Sequence, residues 1–455
     1  MYYDITFGIV SPNDDELTPV EIDRLLAQGY FRHNLNMASY EMMYFDDKMQ
    51  GVLPLRCEVQ SGMFSKSQRK KINQSLRKFQ VEITPLNITE EHETLYSEYR
   101  KERFDEENKS LLQYFGVDDE EDLGLLPFET MQISFYQDNK LIAASYFDVG
   151  EQSIASLMAM YDHNFKQEGL GFISMLLEMK WALENKKDWY YPGYTLDQPS
   201  CFDYKLRLPN VQAFNWKKEW EDWKNIDLKL TKRYKTLHAL EDIVEDINKT
   251  CLVKGHVAEE QNFFTSMWHD MFDFTQAVEA PIYGSFPIGQ YHQMVVIYDP
   301  VQDQFVVKPH IFKMESGLTK EITTKDPEEI STLINAYFTY LQIIDVRITQ
   351  AIDDFQEVLN NSNLEFDTVE VMGNASRHPN YKWLSLKNGN IHWMIMTFWD
   401  NDRRQFFYHP LTFKYHQKRW VSPFGLCTAE VALLKISSYI ETKEEDWEDL
   451  LSETE

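Results

Sequence analysis

Two short stretches carry residue types at spacings that could do chemistry. In Gln167-Glu168-Gly169-Leu170-Gly171, two glycines stand one residue apart at the start of an apolar helical pattern. A glycine-rich turn that opens a helix presents unpaired backbone N–H groups, and the positive end of the helix dipole adds to the attraction. A phosphate or a reacting carbonyl could sit there. Two nearby glycines equally serve a tight turn with no ligand, and on these residues alone both readings stand. The second stretch is Ser65-Lys66-Ser67-Gln68-Arg69-Lys70. It lies in a span from Val59 to Val81 that also holds Lys71, Arg77 and Lys78 and contains no acid. Cations mixed with hydroxyl and amide donors suit phosphate contacts, whereas a solvated helix face would have the same composition.

The elements that must position these residues follow from periodicity. Ile154 to Met160 reads as a buried strand leading into the glycine turn. Leu170, Ile173, Leu177 and Trp181, with Leu176 and Leu183 beside them, have the three-and-four spacing of a helix with one face on a sheet. Asn185-Lys186-Lys187-Asp188 ends that helix, and Trp189-Tyr190-Tyr191 reads as a strand in which Pro192-Gly193 forces a bend or bulge. Upstream, Leu95, Tyr96, Tyr99 and Phe104 predict an amphipathic helix over Glu90 to Phe104, and the acidic stretch after it an exposed insertion. Met131 to Tyr136 and Leu141 to Phe147 flank Gln137-Asp138-Asn139-Lys140 as a hairpin.

At 455 residues, 43% hydrophobic and 14% aromatic, the chain is large enough for two or three folded domains. No basic-then-apolar leader and no apolar run of roughly 20 residues is present, so a cytoplasmic protein without a membrane partner is expected. Cys57, Cys201, Cys251 and Cys427 are too scattered for a zinc ribbon or a disulfide framework. A net charge of −28 argues against a polyanionic partner, but Asp105 to Asp122 and Glu441 to Glu455 each hold eight acids against one lysine. Two segments of net −7 thus carry half of the total, and the basic span stands apart from them.

Tyr161-Asp162, the loop to Leu170-Gly171, Met179-Lys180-Trp181-Ala182, and Tyr190-Tyr191-Pro192-Gly193-Tyr194 followed by Tyr204-Lys205 resemble the C-terminal part of arginyl-tRNA–protein transferases and their bacterial leucyl-transferring relatives. Leu25 to Phe31, Arg32, Leu53-Pro54-Leu55-Arg56 and Ser65 to Lys70 follow the order of the same family's N-terminal region. The resemblance implies a GNAT-like N-acyltransferase core that moves an amino acid from aminoacyl-tRNA onto a protein's N-terminal amine. It places the tRNA against Ser65, Lys66, Ser67, Gln68, Arg69 and Lys70, and the reacting carbonyl at Gly169, Leu170 and Gly171. Asp162, Tyr194 or Tyr204 would orient the amine or accept its proton. The family's metal-binding or iron–sulfur cysteine cluster has no counterpart here, since Tyr44 to Val52 contains no cysteine, and neither cofactor nor metal is expected.

The resemblance ends near Trp223. An α+β or α/β chain is expected, divided as a degenerate N-terminal region (1–85), an acyltransferase domain (86–225) and a C-terminal α+β extension (226–455) with an acidic tail. Within the extension, an offset of 101 residues pairs Tyr298-Asp299 with Trp399-Asp400, Gln304-Phe305 with Gln405-Phe406, and Phe312-Lys313 with Phe413-Lys414. That is either a duplication, over about 290–344 and 391–440 with helices Pro327 to Ile344 and Thr428 to Ile440, or a chance likeness of two aromatic hairpins. The eight histidines from His256 to His416 lack metal-ligand spacing, and the aromatic run from Phe263 to Phe274 reads as core.

Three functions are compatible with these readings. The first is an aminoacyl-tRNA-dependent transferase acting on acceptor N-termini. An acyl-CoA-dependent N-acyltransferase is the second, since the turn from Lys166 to Gly171 could cradle a pyrophosphate. The third is a non-catalytic, transferase-like binding protein.

Overall fold

The computed structural model describes residues 8–10, 17–104, 110–260, 280–289, 292–311, 321–362, 364, 366, 368–372, 381–388, 391–400, 405–414, 419–421 and 427–441. It divides into two units, 1–238 and 239–455. In the first, strand β1 (Gly8–Val10) and helix α1 (Pro19–Ala27) precede β2 (Phe31–His33) and β3 (Asn36–Ser39), and the three strands pair in the order β1-β3-β2. A capping box starts α1: the Glu21 amide donates to the Thr18 hydroxyl, and the Thr18 amide to the Glu21 carboxylate at 3.0 Å.

Nine strands make the main sheet. They are β4 (Met42–Phe45), β5 (Lys48–Glu58), β6 (Gln80–Pro85), β7 (Thr130–Gln137), β8 (Lys140–Val149), β9 (Ser153–Tyr161), β10 (Trp189–Leu196), β11 (Val211–Phe214) and β12 (Trp220–Asp222). Their order is β12-β11-β5-β10-β9-β8-β7-β6, with β4 hairpinned onto β5. The expected hairpin joins β7 to β8, with Asp138 and Asn139 at φ 52° and 61°, as a two-residue primed turn requires. The expected division between 1–85 and 86–225 differs from what the backbone does. Strand β5 of the first stretch lies between β10 and β11 of the second, and its apolar residues Leu53, Leu55 and Cys57 join the same core as Ile154 and Tyr190.

Strands β9 and β10 are parallel for three residues only, Trp189↔Ser153 to Tyr191↔Ala155. Beyond them β10 shifts register between Tyr190 and Gly193 and continues with β5 to Leu196↔Val52, while β9 stays with β8 to Tyr161. Pro192 has no N–H to give a ladder, and Gly193 sits at φ +87°, where a side chain would be strained. The two strands therefore part at the bulge that the Pro-Gly pair led us to expect.

Four helices belong with this sheet: α2 (Lys66–Lys78), α3 (Glu90–Phe104), α4 (Leu111–Phe115) and α5 (Leu170–Glu184). Leu170, Ile173, Leu176, Leu177 and Met179 of α5 pack into the core with Phe147, Ile154 and Tyr190. Each such burial contributes about 1.5–3 kcal/mol. More than the predicted single stripe is covered, because α2 lies against α5 and Ser174, Met175 and Glu178 are buried too. The acidic stretch after α3 is not simply an exposed insertion. Although Asp118 to Glu121 face solvent, Leu111 and Phe115 of α4 are buried with Tyr96 and Tyr146.

A buried ion pair ties the small sheet to the large one. Arg32 Nη1 lies 2.8 Å from Asp148 Oδ1 and 3.1 Å from the Thr130 hydroxyl, and its guanidinium stands 4.2 Å from the centre of the Phe128 ring.

In the second unit, buried Leu240, Ile243, Val244 and Ile247 come from α6 (Lys232–Thr250), a helix that begins in the first. Two five-stranded antiparallel sheets follow. The first runs β13 (His256–Glu259), β14 (Ile282–Gly289), β15 (His292–Asp299), β16 (Gln304–Ile311) and β17 (Ile322–Thr324). The second runs β18 (Thr368–Met372), β19 (Tyr381–Asn388), β20 (Ile391–Asp400), β21 (Gln405–Lys414) and β22 (Arg419–Val421). Asp299↔Gln304 and Asp400↔Gln405 close equivalent hairpins at the offset read from the sequence. Helix α7 (Pro327–Asn360) runs beyond the expected Ile344, because nothing stops it before Asn361. Its Ile352, Phe355 and Leu359 pack under the second sheet with Leu433 and Ile436 of α8 (Ala429–Glu441).

Asp105 to Lys109, the aromatic run from Phe263 to Phe274, His269, His378, His416 and the acidic tail beyond Glu441 lie outside the described residues. Among the described residues no helix is long and apolar enough to cross a membrane.

Replacing one partner of the Arg32–Asp148 pair leaves the other charge buried and unpaired. Arg32→Ala should cost roughly 3–5 kcal/mol in urea unfolding, and the double replacement Arg32→Met with Asp148→Leu much less. Equal losses from both variants would show that the pair does not hold the two sheets together.

Candidate active site

The parting of β9 and β10 leaves a gap whose lining can be built residue by residue. Asp162 ends β9 and caps a short 3-10 helix, His163–Glu168, after which Gly169 turns the chain at φ +66° and α5 begins. A side chain at Gly169 would be strained whatever the space around it. Gly171 has no such backbone reason to be glycine, and a Cβ added there would meet only the Tyr161 ring at 3.9 Å. Space is thus open in front of the first turn of α5, whose leading N–H groups have no intrahelical partner.

Helix α2 is fastened at both ends, to the 3-10 helix Asp203–Arg207 and to the residue before this turn. At its start the Gln68 side chain donates to the Arg207 carbonyl at 3.0 Å, and at its end Lys78 pairs with Glu168 at 2.6 Å. Lys66, Ser67, Arg69 and Lys70 are exposed. Lys66, Arg69 and Lys70 have no ion-pair partner among the described residues. The reading of Ser65 and Gln68 as phosphate donors needs correction, because they form the capping box of α2. The Ser65 amide donates to Gln68 Oε1 at 2.9 Å, and the Gln68 amide to the Ser65 hydroxyl at 3.3 Å.

Asp162 is likewise occupied by structure. It accepts from Lys140 at 3.0 Å and from the Asn164 backbone and side-chain amides at 2.9 and 2.8 Å. Burial would raise its pKa, but these hydrogen bonds outweigh it and hold the carboxyl below the usual range, which makes it a weak proton acceptor. Burial pushes the Tyr194 and Tyr204 hydroxyls up to about 12, so both are neutral near pH 7 and suited to orienting rather than deprotonating. Tyr194 lies between the rings of Phe31 and Phe202, each 5.2 Å away.

Two groups in this region were given no role from the sequence, although one of them, Lys205, stands in the Tyr204-Lys205 pair that carries the resemblance. Lys205 Nζ donates to the Tyr194 carbonyl at 3.1 Å, stands 5.1 Å from the ring centres of Tyr194 and Phe202, and pairs with no carboxylate among the described residues. Burial lowers its pKa to about 8. Glu178, 0% exposed on α5, accepts from the Tyr190 hydroxyl at 2.7 Å and faces Ser145 of β8 and Ser156 of β9. Its Oε1 has no hydrogen-bond partner, and burial raises its pKa to about 7. The available signals were an acid inside the apolar run Met175 to Met179 and a lone lysine among aromatics. Neither has a period that would mark it.

A cavity of about 460 Å³ opens beside the end of β9, lined by Phe45, Tyr99, Phe104, Tyr161, Arg103, Lys166, His163, Glu102 and Cys201. Arg103 donates to the Tyr161 hydroxyl at 3.3 Å, and Glu102 lies 3.1 Å from His163 Nδ1. Aromatic faces with cations suit a flat base or a carboxylate.

The residues do not fit the family's metal centre. Tyr44 to Val52 forms the β4–β5 hairpin, turned by Asp46 and Asp47 at φ 55° and 58°. Cys57 is buried in the core, where burial pushes its thiol up, away from the ligating thiolate. Among the described residues no three His, Cys, Asp or Glu side chains converge to hold a metal ion.

Comparison with known proteins agrees with the resemblance read from the motifs. Residues 91–215 match the family described as arginine-tRNA-protein transferase, C terminus. An aspartate/glutamate leucyltransferase of Campylobacter jejuni is 32% identical over 160 residues, which are 34% of this chain and 64% of that protein. The namesake of Helicobacter hepaticus is 24% identical over 200 residues, 42% of this chain and 78% of its own length, and that of Vibrio cholerae 25% over 201 residues, 44% and 82%. The match thus spans less than two thirds of the Campylobacter relative. Among solved structures, the crystal structure of FemX is similar at a TM-score of 0.26 and 11% identity, over 43% of this chain and 65% of that one, too loosely to bear on fold or function.

A carboxyl whose pKa is raised in the folded state binds its proton more tightly there than when unfolded. Its stabilising contribution is complete below the ordinary carboxyl value near 4.5 and is lost as pH rises through about 7. Glu178→Gln should remove that slope, at most about 1.4 kcal/mol per pH unit, and raise Tm relative to wild type above pH 7. Parallel Tm curves for the two proteins from pH 4.5 to 8 would show that Glu178 is not held protonated.

Proposed function

We propose that the first unit transfers an aminoacyl group from a charged tRNA to the N-terminal amine of an acceptor protein, on a core of the GNAT N-acyltransferase type. The observation that carries the reading is the gap between β9 and β10. It opens at the Pro192–Gly193 bulge and adjoins a helix start whose second glycine has no steric need to be glycine. In such an arrangement the ester carbonyl of the aminoacyl group lies before the first turn of α5, whose N–H groups polarise it, and the acceptor amine enters from the opposite strand. The cations of α2 neutralise acceptor-stem phosphates beside it.

The aromatic lining of the cavity favours an apolar aminoacyl side chain over a guanidinium, because its one acid, Glu102, already faces His163. Leucyl is therefore our preferred donor over arginyl. Arg103 and Lys166 would receive an acidic first residue of the acceptor, in line with the names of the similar proteins. For the second unit we read the equivalent hairpins and helix-backed sheets as a duplicated α+β module.

Purified protein given leucyl-tRNA or arginyl-tRNA, and peptides that differ only in their first residue, should transfer leucine to peptides that begin with Asp or Glu. Transfer from acetyl-CoA alone would instead identify a CoA-dependent enzyme, and no transfer from any donor a binding protein. Gly171→Val should lower kcat/KM at least 100-fold with Tm unchanged, since its side chain enters the space assigned to the carbonyl.

Replacing Lys66, Arg69 and Lys70 together with alanine should weaken tRNA binding at every sequence. The slope of log K against log salt should become shallower by roughly two to three. An unchanged slope would make this run a solvated face.

A further inference from the structure

Lys205 stands at the bulge where the acyl transfer just proposed would take place. It stands on the 3-10 helix Asp203–Arg207 that follows the parted strand, and its Nζ hangs over the bulge itself: a Cβ built on Gly193 would come within 3.3 Å of it. The ammonium is held by one carbonyl and two ring faces. The titratable groups beside it are Tyr194 of β10, whose ring it faces and whose hydroxyl is hydrogen-bonded to Tyr40 before β4, and Cys201 in the loop before the 3-10 helix. Neighbouring carboxylates are engaged elsewhere. Asp203 accepts from the Ser200 amide and hydroxyl, and Asp197 from the Gly51 amide and the Thr231 hydroxyl. Lys205 pairs with neither and lies partly buried over the bulge.

Resting on the transferase reading, we infer that Lys205 is the proton carrier of the reaction, giving a proton to the leaving ribose oxygen and regaining one from the attacking nitrogen. A neutral acceptor amine adds to the ester carbonyl and forms the C–N bond. The C–O bond to the ribose then breaks with its electron pair going to oxygen, and the Lys205 ammonium protonates that oxygen as it leaves. The neutral lysine takes the proton that the nitrogen sheds on becoming an amide. One proton has moved from nitrogen to oxygen, and Lys205 ends as it began. Before the proton moves, the same ammonium offsets the negative charge on the tetrahedral carbon's oxygen. A lysine whose pKa lies near 8 suits both halves of this exchange, because its proton is given and regained at comparable cost.

The test uses the full chain and has two arms. In the first, kcat for transfer at saturating charged tRNA is followed from pH 6 to 9.5 for wild type, Lys205→Arg and Lys205→Met, each checked for an unchanged melting transition. Wild type should lose activity above about pH 8. Lys205→Arg, whose guanidinium stays charged, should keep a reduced rate without that alkaline limb, and Lys205→Met should fall at least 100-fold in kcat. In the second arm, trace acetic anhydride labelling read by mass spectrometry should give Lys205 a midpoint near pH 8, with labelling slowed by leucyl-tRNA but not by uncharged tRNA lacking its 3′ adenosine. A Lys205→Met protein that keeps wild-type kcat and its alkaline limb overturns the role and leaves the transferase reading in place. So does a labelling midpoint above 10. A wild type that transfers from no charged tRNA overturns the transferase reading, and the role with it.

Discussion

The parting of β9 from β10 is the constraint on which the rest of the first unit depends. A parallel pair of strands in mid-sheet would normally continue its ladder, since every unmade backbone hydrogen bond in a buried sheet has a price. Here Pro192 cannot donate and Gly193 occupies a left-handed conformation, so β10 loses β9 after Tyr191 and keeps β5, with which it pairs from Trp189↔Glu58 to Leu196↔Val52. What holds β10 through the gap is its other edge, where β5, a strand from the first 60 residues, pairs with it on both sides of the bulge, and the apolar residues Leu53, Leu55 and Cys57 of β5 enter the core beneath α5. The N-terminal region is thereby built into the sheet that carries the gap.

Around that gap the polar groups divide into those held by structure and those left without a partner. Asp162 is ringed by donors, Ser65 and Gln68 cap a helix, and Lys78 is paired. Among the described residues Lys205 has no counter-ion and one oxygen of Glu178 accepts no hydrogen bond. Partly desolvated ionisable groups of this kind are destabilising, and burial shifts each toward its neutral form. Burial brings them to about 8 and about 7, so both groups change charge in the range where an amine nucleophile becomes neutral. The contacts of Lys205 are one carbonyl and two rings and no acid among the described residues, a setting that leaves its proton free to move in the proposed chemistry.

The likeness to tRNA–protein transferases covers residues 91–215 most firmly and stops before the second unit. The hairpin from Tyr44 to Val52 closes the stretch where those proteins carry cysteines, and it does so with a tight turn rather than with ligands. Nothing in the proposed chemistry needs a metal. Positioning, helix N–H groups and one proton carrier suffice for the aminolysis of an activated ester.

Much of this architecture was legible in the residues. Helices α3 and α5 begin and end where their apolar spacing and flanking residues say, and the β7–β8 turn is where Asp138-Asn139 put it. The bulge follows from a Pro-Gly pair in an aromatic strand. These are local effects, set by backbone conformation and by periodicities of 3.6 and 2, and a sequence states them directly. What the tertiary structure decided was which polar side chains are already engaged. Asp162 and Gln68 look available in the sequence and are not, because their partners Lys140 and Arg207 lie 22 and 139 residues away. Glu178 looks ordinary there and becomes unusual only when strands bearing Ser145, Ser156 and Tyr190 close over it, and Lys205 only when its 3-10 helix folds back over the bulge. Burial and pairing depend on contacts among distant segments, whereas periodicity depends on a residue's own neighbours. The elements could therefore be read from the chain, and the standing of each ionisable group within them could not.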